Sequence, residues 1–317
     1  SLMRMTLRQL QIFNEVCDLR SYSRAAEEMA LTQPAVSLQI RQLEELVGQP
    51  LYELVGKKLY HTEAAEALQR ASRDIFGRLE NLDMQLSDMQ GSLQGQLKLA
   101  IESSAKYFVP HLFAAFKQRH PEVNLTLTVV NRAQAIRRLS DNRDDLIIMS
   151  LVPQDMGLEI LPFLNNPIVA VAPPDHPLCK LEQLRLQDLE PHTLLIREQG
   201  SGTRKACEEY FKDKRVHFTQ TLEVASADAQ RECVIAGLGI ALLSRHAVNM
   251  ELATGVLKEL PVEELPLYRS WCVVQSKAKR ESPVALAFLA FIGSERAPNS
   301  ALGEGFWGML PPIPATR

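Results

Sequence analysis

Residues 23–47 read SRAAEEMALTQPAVSLQIRQLEELV, a pattern that fits two short helices joined by a tight turn. Ala25, Ala26 and Met29 recur at near-helical spacing and form one apolar face. Ala30-Leu31 is the turn. Thr32 suits the N-cap of the second helix, because its hydroxyl can accept a hydrogen bond from a backbone N–H that has no helical partner. Pro34 falls in the first turn, where a missing N–H costs nothing. Val36, Ile40, Leu43 and Val47 recur at i, i+4, i+7 and i+11 and form an inward stripe. Gln33, Ser37 and Arg41 lie on the opposite face, towards the N-terminal end. A helix that only packs needs the first face. A helix that enters a DNA groove also needs donors and acceptors near its N-terminus, where base edges come within reach. Glutamine matches adenine, arginine matches guanine, and serine can serve either.

Residues 7–20 supply a preceding helix, with Leu7, Leu10, Ile12, Phe13, Val16 and Cys17 turned inward. After Gly48, LYELVGKKLYHT (residues 51–62) reads as a short hairpin with Gly56-Lys57-Lys58 at its tip. Three helices followed by a basic-tipped hairpin make a winged helix-turn-helix. Its expected DNA contacts are Ser23, Arg24, Thr32, Gln33, Pro34, Ser37, Arg41, Lys57 and Lys58. LRQLQIF, SYSRAAEEMALTQPAVSLQIRQLEELVG and the hairpin resemble the DNA-binding domain of LysR-type transcriptional regulators, over residues 5–68.

The chain has 317 residues and is 46% apolar, enough for two or three domains. Its net charge of -3 argues against a generic nucleic-acid binder. Through Thr62 the seven basic residues (Arg4, Arg8, Arg20, Arg24, Arg41, Lys57, Lys58) balance seven acidic ones (Glu15, Asp18, Glu27, Glu28, Glu44, Glu45, Glu53). DNA affinity must therefore come from where the charges sit and from doubling in a dimer. The five cysteines are odd in number and none are spaced as CxxC, which speaks against a disulfide framework or a zinc site and for a reducing cytosol. No apolar run approaches the ~18 residues of a membrane span, and the first residues lack a hydrophobic signal core. A cytoplasmic location is expected.

From residue 63 to 90 the chain reads as one long helix. Leu68, Ala71, Ile75, Leu79, Leu82, Leu86 and Met89 fall at steps of 3, 4, 4, 3, 4 and 3, the average period of a coiled-coil seam. Pairing with a second copy would set two recognition helices on the half-sites of a palindrome-like operator, in a dimer or a dimer of dimers. In the resembled family this segment is the dimerising linker helix. That family usually has glycine where Ala65 stands.

Gly91-Ser92-Leu93-Gln94-Gly95 ends the helix. Strands are then predicted at 96–102, 123–130 and 146–150, with helices at 107–119 and 133–139. A second series follows: strands at 167–172, 193–197, 218–224 and 240–243, with helices at 203–212 and 228–235. A strand at 268–275 and a helix at 283–291 close the chain. The alternation predicts parallel sheets faced by helices. The expected fold class is α+β and multi-domain: a winged helix-turn-helix (5–62), a linker helix (63–91), and two α/β lobes of periplasmic-binding-protein type. Lobe 1 comprises 96–165 and 268–293, lobe 2 comprises 166–267, and a flexible tail, 294–317, carries Phe306, Trp307 and Leu310.

Two strand-to-helix turns look like anion sites, one in each lobe: Glu102-Ser103-Ser104-Ala105-Lys106 and Glu198-Gln199-Gly200-Ser201-Gly202-Thr203-Arg204. Each puts hydroxyls and free backbone N–H groups at a helix N-terminus, which favours negative charge. Gly200 and Gly202 allow close approach of a ligand. The expected effector contacts are Ser103, Ser104, Lys106, Gly200, Ser201, Gly202 and Thr203, with Asn131, Arg132 and Arg197 at the lobe edges. ESSAKYFVPHLFAAFKQRHPEVNL, VVNRAQAI, DLIIMS, NNPIVAVAPPDHPL, IREQGSGTR and RSWCVVQ resemble the CbbR branch of LysR-type regulators, which regulates carbon-fixation operons. The resemblance implies an activator that binds an operator, can contact RNA polymerase, and senses a phosphorylated sugar, phosphoglycolate or NADPH. It implies no cofactor, metal or catalytic residue. Where that branch reads Ser-Asn-Glu with a lysine three residues on, this chain reads Ser226-Ala227-Asp228-Ala229-Gln230-Arg231.

The rival readings are a cytosolic small-anion binding protein and an enzyme using the cleft. Cys207, expected near the cleft with Arg204 and Lys205 to lower its pKa, hints at a peroxide sensor but has no second cysteine to resolve it. Gly237-Leu238-Gly239 hints at a dinucleotide turn but follows a helix and precedes a strand, the reverse of that motif.

Overall fold

The computed structural model describes residues 1–295, and the chain divides into two compact units, Ser1–Asp83 and Met84 onward. In the first unit, α1 (Leu7–Leu19) begins at a capping box in which Thr6 and Gln9 exchange bonds. Helix α2 (Tyr22–Glu28) follows, then α3 (Gln33–Val47), a hairpin of β1 (Tyr52–Val55) and β2 (Lys58–His61), and the long α4 (Glu63–Met89). Ile12, Phe13, Val16, Ala25, Ala26, Val36, Ile40, Leu43 and Leu51 make one buried core. The two alanines of α2 let the helices approach closely.

Leu7 departs from expectation: it is 48% exposed, because it is the first residue of α1 and the buried stripe begins a turn later at Leu10. The turn before α3 is centred on Ala30, whose left-handed backbone (φ 53°) lets Leu31 N–H return to Ala26 O at 2.8 Å. The hairpin pairs Val55 with Lys58, so its tip is the two residues Gly56-Lys57, with Gly56 at φ 64°, and Lys58 already belongs to β2.

In the second unit the chain runs β3 (Gly95–Glu102), α5 (Val109–Arg119), β4 (Val123–Val130), α6 (Arg132–Ser140), β5 (Leu146–Met149), β6 (Leu158–Ala172) and β7 (Leu194–Ile196). It continues through α7 (Gly202–Lys214), β8 (Thr221–Glu223), α8 (Ala227–Ile235), β9 (Ile240–Ser244), α9 (Asn249–Thr254), β10 (Lys258–Glu259), β11 (Leu267–Ser276) and α10 (Pro283–Glu295). Strand β3 pairs in parallel with β4 and β5, and β7 with β8 and β9. The long strands β6 and β11 run antiparallel to each other and pass between the lobes. In lobe 1, Cys272–Val274 of β11 pairs with β5; in lobe 2, residues 168–171 of β6 pair with β9.

Both lobes are faced on two sides. Leu146 and Ile148 of β5 enter the core shared with α5 and α10, while Ile147 and Met149 enter the one beside α6. In lobe 2, Ile168 and Ala170 face the α7 core, while Val169 and Val171 face the core with Val234 of α8. Two-sided cover explains why these strands read as unbroken apolar runs.

The first half of β6, residues 158–166, was not expected as strand. Pro162 and Asn165-Asn166 depress its propensity, but pairing with β11 decides its conformation. Helix α10 extends to Glu295, past the boundary expected at 293. The rest of the expected tail, with Phe306, Trp307 and Leu310, lies outside the described residues. Among the described residues no helix is long and apolar enough to cross a membrane.

Candidate DNA interface and inter-lobe site

Thr32 caps α3 as expected, its Oγ1 accepting from Ala35 N–H at 3.3 Å, with Pro34 in the first turn. Gln33, Pro34 and Arg41 are exposed, Ser37 is half-buried, and Val36, Ile40 and Leu43 on the other side are fully buried. The polar face of α3 is thus free in the first unit while its apolar face holds the fold. Ser23 and Arg24 are exposed at the start of α2, where the capping hydroxyl is that of Ser21, which accepts from Arg24 N–H at 3.2 Å. Lys57 and Lys58 are exposed on the hairpin.

In the second unit the two anion-type turns meet across the lobes. Ser201 caps α7, accepting from Arg204 N–H at 3.2 Å, and is buried. Asn131 caps α6 in a reciprocal box with Gln134, and its Nδ2 donates to Glu198 Oε2 of lobe 2 at 3.2 Å. Beside it, Ala133 N–H donates to Gly200 O at 3.1 Å. The other rim is tied by Asp228 of α8, which accepts from Lys106 Nζ and from the Tyr107 hydroxyl. Arg231, one turn on, reaches Tyr107 Oη at 2.6 Å and Ala247 O at 3.2 Å. At the base, Phe108 of lobe 1 packs its ring 5.1 Å from that of His246 of lobe 2.

Between these rims sits Glu102, at the end of β3 and 6% exposed. Its Oε1 accepts from Ser150 N–H at 3.0 Å. A Cβ on Gly202 would come within 2.5 Å of its Oε2, so the carboxylate occupies the space that any larger residue at the start of α7 would claim. Gly200 stands at φ 93°, a conformation that favours glycine, and a Cβ there would meet Ala133 Cβ at a tight 3.0 Å. The close neighbours these glycines admit are groups of the opposite lobe.

The cations of the cleft are already engaged. Arg197, itself buried, pairs with Glu198 at 2.8 Å, Lys106 pairs with Asp228, and Arg132 Nε donates to Leu151 O at 2.8 Å. Burial pushes the Glu102 carboxyl up to about 7, with Ser150 N–H and the Arg132 and Arg197 charges pulling against it. Burial would also raise Asp228, but the bonds from Lys106 and Tyr107 hold it below the ordinary carboxylate range.

The structure brings Lys106, Asn131, Arg132, Arg197, Gly200, Ser201 and Gly202 to one region between the lobes, with Ser103 and Ser104 on the same turn as Lys106. Thr203 and Arg197 also line a cavity of about 350 Å³ in lobe 2, with Cys207, Phe211 and Phe218. Sequence reading missed Glu102, Tyr107, Glu198, Asp228 and Arg231 as site residues. The available signal was an acidic residue closing a buried strand directly before a Ser-Ser turn.

Cys207 is buried, and burial pushes its thiol up to about 12, so the lowering expected from Arg204 and Lys205 is overridden. Gly237 follows α8 at φ 85°, a left-handed turn position, and a Cβ on Gly239 would meet Thr193 O at 2.5 Å; the first glycine serves the turn and the second the close packing, and neither opens a helix as a dinucleotide motif requires. Among the described residues no cluster of three or more His, Cys, Asp or Glu could hold a metal.

Residues 7–66 match the family described as bacterial regulatory helix-turn-helix proteins, lysR family, and residues 90–297 match the LysR substrate binding domain. The HTH-type transcriptional activator CmpR of Synechocystis sp. is 40% identical over 287 residues, covering 90% of this chain and 94% of that protein. The RuBisCO operon transcriptional regulator of Allochromatium vinosum is 40% identical over 295 residues, covering 93% of this chain and 98% of that protein. The regulatory domain of CcmR from Synechocystis PCC6803, solved in complex with 2-PG (2-phosphoglycolate), is 35% identical and superposes with a TM-score of 0.62, covering 66% of this chain and 100% of that one.

Proposed function

Because this chain belongs to the LysR family of bacterial regulatory helix-turn-helix proteins, we propose that it regulates a carbon-fixation operon in response to a small anion bound between its lobes. It is a DNA-binding regulator and not an enzyme, like the relatives it matches. The observation that carries the carbon-fixation assignment is 40% identity to a RuBisCO operon regulator across nearly the whole of both chains.

The polar face of α3, with Gln33, Ser37 and Arg41, reads base edges in the major groove. Thr32 and Pro34 set the start of that helix, and Ser23, Arg24, Lys57 and Lys58 hold phosphates. The domain division is 5–62, 63–91, 96–165 with 268–293, and 166–267. The stripe along α4 pairs two chains, as a dimer or a dimer of dimers, in the cytoplasm, and the bound complex acts on RNA polymerase as an activator. The effector is held by Ser103, Ser104, Lys106, Asn131, Arg132, Arg197, Gly200, Ser201, Gly202 and Thr203. Its class is a small phosphorylated carboxylate such as 2-phosphoglycolate, supported by likeness to the CcmR regulatory domain. A phosphorylated sugar and NADPH are the other candidates.

An effector shifts the regulator only by binding one of its states better, so operator and effector must change each other's affinity equally. Footprinting of the full chain on promoters of carbon-fixation genes, with and without 2-phosphoglycolate, tests this. Protection that changes in extent or affinity with the effector is expected. Absence of protection at micromolar protein overturns the DNA assignment. Protection indifferent to 2-phosphoglycolate, a phosphorylated sugar and NADPH overturns the effector assignment.

A further inference from the structure

Glu102 is the buried carboxylate of the inter-lobe site, and the chain around it is shaped to hold it there. Oε1 takes the Ser150 N–H, and Gly202 is the residue whose missing side chain makes room for Oε2. Gly202 is also the first residue of α7, a 13-residue helix whose positive end faces that oxygen. Among the described residues Oε2 accepts no hydrogen bond. An anionic ligand seated on the start of α7 would bring a second negative charge against Oε2. Two carboxylate-like charges cannot share so buried a place at ordinary cost. We propose that Glu102 is a built-in anion holding the effector's place, so that an anionic effector enters only together with a proton taken up by Glu102. This rests on the reading of the inter-lobe region as the effector site.

The charged and titratable groups facing Glu102 are Arg132 from α6, Arg197 beyond β7 and Cys272 from β11. Burial pushes the Cys272 thiol up to about 11, so it does not change charge near neutrality. Glu102 does, its carboxyl standing at about 7. Its state is also tied to the strand that links the lobes. Ser150 Oγ accepts from Asn166 Nδ2 of β6 at 2.9 Å, and Asn166 Oδ1 accepts from Ser244 Oγ of β9 at 2.7 Å. A neutral Glu102 releases the start of α7 for the ligand and keeps this chain of bonds intact.

Sulfate is a suitable probe because it does not itself titrate near neutrality. Its binding to the full chain is measured by calorimetry from pH 6 to pH 8, in two buffers of different protonation enthalpy. For the wild type, affinity is expected to be about tenfold weaker at pH 8 than at pH 6, with net proton uptake on binding, as a linked group titrating at about 7 requires. E102Q retains an acceptor for Ser150 N–H. It should bind sulfate at pH 8 as tightly as the wild type does at pH 6, with no pH dependence. E102A serves the same purpose if E102Q does not fold. A wild-type affinity indifferent to pH, or a variant that keeps the wild-type pH dependence, overturns the proposal while leaving the anion site standing. Failure of every protein to bind either sulfate or 2-phosphoglycolate at any pH overturns the anion site itself, and the proposal with it.

Discussion

The carboxylate of Asp228, on α8 of the second lobe, forms an ion pair with the ammonium of Lys106 in the first. Asp228 also accepts from Tyr107 and lies 3.4 Å from Arg231, so one side chain gathers the whole rim. Its side chain is 46% exposed, which discounts the pair to the range of surface bridges, about 0.2–1 kcal/mol. A double-mutant cycle of K106A and D228N, read from thermal unfolding, should return a coupling in that range. Additive effects would mean the pair does nothing. The sign with pH follows from Asp228 being held below the ordinary carboxylate value by Lys106 and Tyr107 against the opposing effect of burial. Its contribution is complete above the unfolded value of about 3.9 and is lost only as pH falls through the lower folded value. The coupling should therefore be flat from pH 5 to 8 and fade below about pH 4.

The first unit was largely legible in the sequence because its signals are local. A capping threonine, a proline in the first turn and a regular apolar stripe fix α3 without reference to anything distant. The inter-lobe site was legible only in part. Serines and glycines at helix starts are visible as letters, but Asp228 meets Lys106 across 122 positions of chain, and no local pattern announces it. Glu102 is visible in the sequence only as the first letter of a turn, and its burial against Gly202 depends on how two lobes close. The first half of β6 was hidden for a related reason: residues with poor strand propensity are held by a partner strand more than a hundred positions away.

Arg41 is exposed on α3, eight residues beyond the first residue of the helix, and is not used by the fold. Arg41→Ala should leave thermal stability unchanged and cost about 1–3 kcal/mol in operator binding if Arg41 reads a guanine. Competition with random DNA separates the alternatives: equal loss on both would make Arg41 a phosphate contact. Thr32→Ala should behave oppositely in one respect, lowering stability by about 1 kcal/mol through loss of the cap.

Along α4 the side chains of Ile75, Leu79, Leu82, Leu86 and Met89 are 38%, 40%, 48%, 50% and 83% exposed, a continuous apolar stripe on one helix face. Leu82→Glu changes a side chain that the chain's own core does not need, so folding should be unaffected. In a two-fold pairing each copy buries that leucine, worth about 1.5–3 kcal/mol apiece, so self-association should weaken by at least about tenfold. Sedimentation equilibrium measures this directly. A variant that associates like the wild type would place the pairing surface elsewhere.

Cys207 lies on α7, the helix that starts at the inter-lobe site, where a reactive thiol would suggest redox sensing. Its environment forbids that. The side chain is 7% exposed, it lines the lobe-2 cavity with Phe211 and Phe218, and burial pushes the thiol up to about 12 despite the charge of Arg269. The thiolate is the reactive form, so at neutral pH the native fraction available for oxidation is vanishingly small. Cys17 and Cys272 are buried too, each raised to about 11, chiefly by burial. A thiol reagent added to the native protein should leave these three cysteines unmodified by mass spectrometry and reach them only after denaturation. Peroxide should correspondingly leave operator affinity unchanged. Rapid modification of Cys207 in the folded chain, with a matching change in DNA binding, would restore the redox reading.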